Sequence, residues 1–77
     1  MEHFGERLRI AREKRGLTQL QVAKALANMG VLVNCKCDVV GKYERGLMYP
    51  NAHRMHDLCV ILGVSADYLL GLKEMEE

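Results

Sequence analysis

Two short segments of the sequence carry side chains whose types and spacing could bind a polyanion. Thr18 and Gln19 come just after Gly16 and are predicted to begin a helix, whose free backbone N–H groups can bind an anion. The segment 42–46, Lys-Tyr-Glu-Arg-Gly, is predicted to end another helix, and it places two cations where a phosphate backbone could lie. Together the segments predict a phosphate-binding surface.

The distribution of charge supports the same chemistry better than the net charge of +1 does. Residues 1–45 hold nine Lys and Arg against five Asp and Glu, whereas residues 46–77 hold two against five. A net of +4 in the first part and −3 in the second suits a domain that docks on phosphate with one face. The arginines of the first helix also fit a solvated helix face.

Length and composition predict a single domain over residues 1–77, with a core from about 4 to 71 and a short acidic tail at 72–77. No apolar run approaches the roughly 20 residues that span a bilayer. The N-terminus does not resemble a signal peptide. We therefore expect a cytoplasmic protein that does not associate with membranes.

The apolar spacing predicts five helices and no strands. The first runs from about Glu2 to Arg15, and the third from about Cys37 to Arg45. The second is capped by Thr18, with Gln21 completing a capping box, and extends to about Met29. Asn51 and Ser65 are predicted to cap the fourth and fifth helices, and glycines end all five. The inward residues of helices 1, 2 and 4 are predicted to be Phe4, Leu8, Ala11, Leu20, Val22, Ala23, Leu26, Ala52, Met55, Leu58, Cys59 and Leu62.

From about Phe4 to Gly71 the chain resembles the lambda-repressor/Cro-like (XRE-type) helix-turn-helix family. The matching motifs, in order, are Gly16-Leu17-Thr18-Gln19, Tyr43-Glu44-Arg45-Gly46, Pro50, and the segment 62–71, Leu-Gly-Val-Ser-Ala-Asp-Tyr-Leu-Leu-Gly. The resemblance implies a compact all-α, five-helix DNA-binding domain. It also implies a sequence-specific transcriptional regulator, a repressor that binds a palindromic operator in double-stranded DNA as a homodimer.

In this family the third helix lies in the major groove, and its first residues meet base edges. Lys42 could then donate to guanine or to a phosphate, Asp38 could accept from cytosine, and Val39 could contact a thymine methyl group. Val40 and Tyr43 would point into the core. The full set of implied DNA contacts is Thr18, Gln19, Cys37, Asp38, Val39, Gly41, Lys42, Arg45 and Asn51.

Two further roles follow from the resemblance. Arg12 and Glu44 are expected to form a structural ion pair between helices 1 and 3, the alternative being two exposed charges. Gln19 is expected to bind phosphate and to brace the third helix.

Gly41 weakens the third helix, and either a close backbone approach or a packing requirement would explain a glycine at this position.

The segment 27–38 departs from the family because it is several residues longer than the usual 3–4-residue turn. Either the second helix runs on by one turn, or Val31–Val33 forms an extended loop. The N-cap of the third helix is then Asn34 or Asp38, and its start is uncertain by a turn.

The cysteines and histidines could form a functional site or could be ordinary reduced side chains. Cys35 and Cys37, with His53, His56 and Cys59, suggest a zinc site. Cys37 alone suggests a thiol switch, because oxidation of a groove-facing thiol would hinder docking. His53 and Cys59 fall on opposite faces of the fourth helix, which favours ordinary reduced thiols and no metal or other cofactor. No catalytic constellation is present, so we expect a protein that is not an enzyme.

Two rival functions remain beside the repressor. One is an antitoxin-type protein that uses the same fold to hold a protein partner, and the other is a metal- or thiol-responsive regulator. For a homodimer, Val60 and the segment Tyr68-Leu69-Leu70 are the predicted contact surface.

Overall fold

The computed structural model describes residues 3–29 and 37–72, apart from the side chain of Cys37. These ranges contain helices and connecting turns and no strand, which confirms the predicted all-α architecture. The five helices are α1 (Phe4–Lys14), α2 (Gln19–Met29), α3 (Cys37–Glu44), α4 (Ala52–Leu62) and α5 (Ala66–Leu70). The predictions for Glu2 and for the segment between α2 and α3, including Val31–Val33, Asn34 and Cys35, lie outside the described residues.

Three helices begin at the caps that the sequence predicts. The Gln21 amide donates to Thr18 Oγ1 at 3.1 Å, and the Thr18 amide donates to Gln21 Oε1 at 2.8 Å, which is a complete capping box. Asn51 and Ser65 each accept a hydrogen bond from the backbone N–H three residues later, at 2.9 Å and 3.1 Å. These bonds fix the starts of α2, α4 and α5, and so set the orientation of each helix as it leaves its turn.

The ends of α1 and α3 matter most for the site, because each is followed by a sharp reversal of the chain. Gly16 and Gly46 have φ values of 70° and 74°, a conformation that a side chain disfavours. The amide after each glycine bonds back to the carbonyl five residues earlier, at 3.1 Å and 2.9 Å. As a result, α2 starts directly beside the end of α1.

The hydrophobic core takes residues from all five helices. α2 packs against both α3 and α4, while α1 packs against α3 and α5. Val40 and Tyr43 of α3 are buried, as predicted. The buried apolar residues are Phe4, Leu8, Ala11, Val22, Ala23, Leu26, Val40, Tyr43, Leu58, Leu62, Tyr68 and Leu69.

Two residues predicted to be inward are exposed. Leu20 is 50 % exposed, because about 100° of rotation per residue places it well to the side of the face that carries Val22 and Leu26. Ala52 is also exposed. It is the first residue of α4, and side chains tilt toward the N-terminus of their helix, so Ala52 points past the packed layer.

The predicted dimer surface needs a larger correction. Tyr68 and Leu69 are buried in the core, since α5 packs its short apolar face against α1 and α4. The Arg7 guanidinium also lies over the Tyr68 ring, 5.3 Å from its centroid. Leu70 is half-buried, whereas Val60 on α4 is 57 % exposed.

The fold also contains a buried charge that the helical pattern did not predict. Arg54 is almost fully buried, and its Nη1 donates to the Leu26 carbonyl at 3.2 Å. Leu26 lies in the last turn of α2, where free carbonyls favour a cation. Arg54 therefore joins α4 to the end of α2.

No helix in the described part of the chain is long and apolar enough to cross a membrane.

Candidate nucleic-acid interface

One face of α3 is buried and the opposite face is exposed and polar. Val40 and Tyr43 fill the core, whereas Asp38, Lys42 and Arg45 are exposed. The three exposed residues follow a spacing of four and then three, which places them along one side of the helix. A single stripe thus combines two cations with one carboxylate.

Val39 is less available than the sequence predicts. It is half-buried and packs against the core, at the boundary between the two faces of α3. Part of its side chain is therefore occupied by packing, and the remainder is what could meet a thymine methyl group.

Gly41 is buried beneath the side chain of Gln19. A Cβ atom added at Gly41 would lie 3.5 Å from Gln19 Oε1 and 3.9 Å from an Arg45 terminal nitrogen, both ordinary contact distances. Space alone does not exclude alanine here. A packing requirement within the protein therefore does not explain this glycine, because a methyl group would violate no contact. The other explanation, a close backbone approach, remains.

Arg12 and Glu44 lie in contact between α1 and the end of α3. The Arg12 Nε donates to Glu44 Oε2 at 2.6 Å, and Nη2 donates to Oε1 at 3.2 Å. The guanidinium therefore binds the carboxylate through two hydrogen bonds. The side chains are 13 % and 6 % exposed. The hydrogen bond to Glu44 raises the pKa of Arg12 above its ordinary value.

The same carboxylate also receives the Gln19 side chain. Gln19 Nε2 donates to Glu44 Oε1 at 3.1 Å, and a third Arg12 bond runs from Nη1 to the Leu17 carbonyl at 2.9 Å. The Glu44 carboxylate at the end of α3 thereby binds α1 through Arg12 and the first residue of α2 through Gln19. Arg12 also binds the turn before α2. This arrangement holds α3 at a fixed angle to the start of α2.

The remaining predicted contacts are spread around this network. Thr18 is exposed at the start of α2, next to Gln19, and its hydroxyl is already engaged as the helix cap. Asn51 is exposed beyond α3, and its Oδ1 caps α4, which leaves its amide nitrogen for other partners. Cys37 begins α3, but its side chain lies outside the described residues.

Among the described residues, the histidines and Cys59 form no cluster that could hold a metal ion. Within residues 3–29 and 37–72, no three His, Cys, Asp or Glu side chains are placed to hold a metal ion. His53 and His56 are exposed and approach the buried carboxylate of Asp57, at 3.9 Å and 3.3 Å. Cys59 packs against the core.

Gly5 is a positioning residue that the sequence interpretation missed. A Cβ atom at Gly5 would overlap the Glu44 carbonyl oxygen and would lie 2.8 Å from that of Tyr43. The backbones of α1 and α3 therefore touch at this point, which brings Arg12 within reach of Glu44. A glycine inside the first turn of a helix is costly, and this cost was the signal that could have identified the contact.

Comparison with known proteins identifies the class to which this arrangement belongs. A family model described as a helix-turn-helix domain matches residues 3–69. The chain belongs to the helix-turn-helix family. Its α2 and α3 pack against each other.

Two curated relatives come from Bacillus subtilis (strain 168). The chain is 38% identical over 68 residues to the uncharacterized HTH-type transcriptional regulator YazB, an alignment that covers 88% of each protein. It is 34% identical over 74 residues to the HTH-type transcriptional regulator ImmR, covering 96% of this chain and 53% of ImmR. No solved structure matches the chain.

Membership in this family confirms two predictions made from the sequence. The family is a class of DNA-binding transcriptional regulators, as the motifs indicated. Such proteins act by binding and not by catalysis, so the prediction that the chain is not an enzyme is also confirmed.

Proposed function

We propose that the chain is a cytoplasmic transcriptional repressor that binds a palindromic operator as a homodimer. The observation that carries this proposal is the exposed stripe of Asp38, Lys42 and Arg45, opposite the buried face of α3. A helix that is anchored on one side and polar on the other is suited to enter the major groove. Repression by this chain would need no chemistry beyond binding an operator that overlaps a promoter.

The three residues of the stripe have different tasks in this proposal. Asp38, in the first turn of α3, accepts a hydrogen bond from cytosine N4 at a base edge. Lys42 donates to guanine or to a phosphate. Arg45 lies at the end of α3, where its Nε already donates to the Gly41 carbonyl at 3.2 Å, and its outer nitrogens bind the backbone.

Gln19 supports the groove-bound helix from the side. Its amide nitrogen is bonded to Glu44, and its Oε1 faces Gly41. The start of α2 also offers backbone N–H groups to an anion. Gln19 and Thr18 thus place a phosphate next to α3 and fix the depth at which the helix sits.

A homodimer follows from the small size of one reading element. α3 has eight residues, and a single short helix contacts too few base pairs for useful specificity. Two copies related by a two-fold axis would read two half-sites, about 10–10.5 base pairs apart from centre to centre. Val60 of α4 is 57 % exposed and is the part of the predicted contact surface that the fold leaves available.

A selection from random duplexes tests the proposal and separates base contacts from backbone contacts. The wild type should enrich inverted half-sites. Asp38→Ala should change the preferred bases, whereas the matched variant Arg45→Ala should weaken all sequences about equally. Enrichment of a lone half-site would contradict the homodimer, and an unchanged preference in Asp38→Ala would show that Asp38 does not contact a base.

The contact surface of the dimer has its own test. Val60→Glu places a charge at the proposed two-fold contact and should shift the protein toward monomer in analytical ultracentrifugation. Ala52→Glu makes the same change from an apolar residue to Glu at another exposed position on the same helix, and it is the matched control. If both variants sediment like the wild type, the dimer forms through another surface.

A further inference from the structure

A cleft opens where α1, α2 and α3 meet, and it extends the candidate interface beyond the helix pair. Its volume is about 510 Å³. The residues that line it are Arg9, Arg12, Gln19, Asp38, Gly41, Glu44 and Arg45. Gln19, Asp38 and Arg45 already belong to the proposed DNA surface, so the cleft is continuous with that surface.

Two of the five charged residues in this cleft neutralise each other. Arg12 and Glu44 bind each other, and Arg12 also donates to a backbone carbonyl. Three charged groups then remain, namely Arg9, Arg45 and Asp38. Two of them are cations, so the cleft keeps a net positive charge in addition to the open space.

Arg9 is the member of this group to which no role has been assigned. It is exposed, and none of the described residues forms a hydrogen bond or an ion pair with it. It stands three residues before Arg12, which places both arginines on the same side of α1. Because Arg12 is anchored to the end of α3, Arg9 is held close to the polar face of that helix.

We infer that Arg9 binds a phosphate of the DNA backbone and extends the interface onto α1. This inference rests on the proposed function, since it requires that α3 lies in the groove. The guanidinium is well suited to the task, because its planar fork matches two phosphate oxygens. Backbone phosphates run along both edges of the groove, so a helix flanking α3 can meet one of them.

The experiment is a salt titration of duplex binding by the full chain, followed by fluorescence anisotropy. Each neutralised phosphate contributes about 0.9 to the slope of log K against log salt. Arg9→Gln should therefore reduce the magnitude of the slope by about 0.9 and weaken all duplexes alike. Lys14→Gln is the matched control: it makes the same charge change on α1, but it does not line the cleft, and its slope should equal that of the wild type.

A third variant separates charge from folding. Arg9→Lys keeps the cation and should keep the slope, and circular dichroism should show the same helix content for all variants. If the slopes of Arg9→Gln and Lys14→Gln agree, or if Arg9→Lys loses the slope as fully as Arg9→Gln, the inference is overturned while the proposed function stands. If the wild type binds no duplex, the proposed function fails and the inference fails with it.

Discussion

Replacing Arg12 with alanine removes one partner from the most deeply buried ion pair of the site. The change deletes two bonds to Glu44 and one to the Leu17 carbonyl. The Glu44 side chain is 6 % exposed, so the variant leaves this carboxylate without its cation in a place that water hardly reaches. The cost of stranding one member of a buried pair is about 3–5 kcal/mol.

The contacts that survive decide where in this range the loss should fall. Gln19 Nε2 still donates to Glu44 Oε1 in the variant, which partly compensates the carboxylate. We therefore expect a loss near the lower limit, about 3 kcal/mol. For a domain of this size, 1 kcal/mol shifts the melting temperature by roughly 4–8 °C, so Tm should fall by roughly 12–24 °C.

Thermal and urea unfolding of the purified variant would measure this loss. Lys14→Ala, an exposed position on the same helix, is the control and should stay within about 0.5 kcal/mol of the wild type. The double variant Arg12→Ala/Glu44→Ala should be more stable than Arg12→Ala, because it no longer buries an unpaired charge. If Arg12→Ala melts like the wild type and yet loses DNA binding, then Arg12 is a phosphate contact and the structural role is wrong.

Substitutions at three further positions test the packing and one helix cap by the same unfolding measurements. Gly5→Ala should cost about 1–3 kcal/mol, since the new methyl group overlaps the Glu44 carbonyl oxygen; wild-type stability would show that the helices do not touch there. Gly41→Ala should instead add about 0.5–1 kcal/mol, because the methyl group makes ordinary contact with Gln19, and a loss would indicate hidden crowding. Asn51→Ala should cost about 1 kcal/mol by removing the cap of α4. Asn51→Ser should retain most of the wild-type stability, because serine also caps helices. Equal losses in the two variants would argue against the cap.

The helix boundaries could be predicted because capping is a local property of the chain. Thr18, Asn51 and Ser65 each satisfy a backbone amide three or fewer residues away, and no knowledge of the packing is needed to recognise them. The buried side of α3, with Val40 and Tyr43, was predicted from the family resemblance, and both residues are buried.

What could not be predicted depends on contacts between residues far apart in the sequence. The close approach at Gly5 exists only because α1 crosses the end of α3, and the burial of Arg54 depends on the position of the last turn of α2. Tyr68 was expected on the surface because a five-residue helix has too short a pattern to define its inward face. The pairing of Arg12 with Glu44, 32 residues apart, came from the family resemblance and not from local spacing.

The most direct test of the proposed interface is a residue-by-residue map of where the protein meets DNA. The amide NMR signals of the ¹⁵N-labelled chain would be followed during titration with a duplex that the selection enriches. We expect the largest shifts at Gln19, at Arg9 and along residues 38–45, with little change in α5. Shifts confined to α4 and α5, or no shifts at low salt, would contradict the claim that α3 is the DNA-binding element.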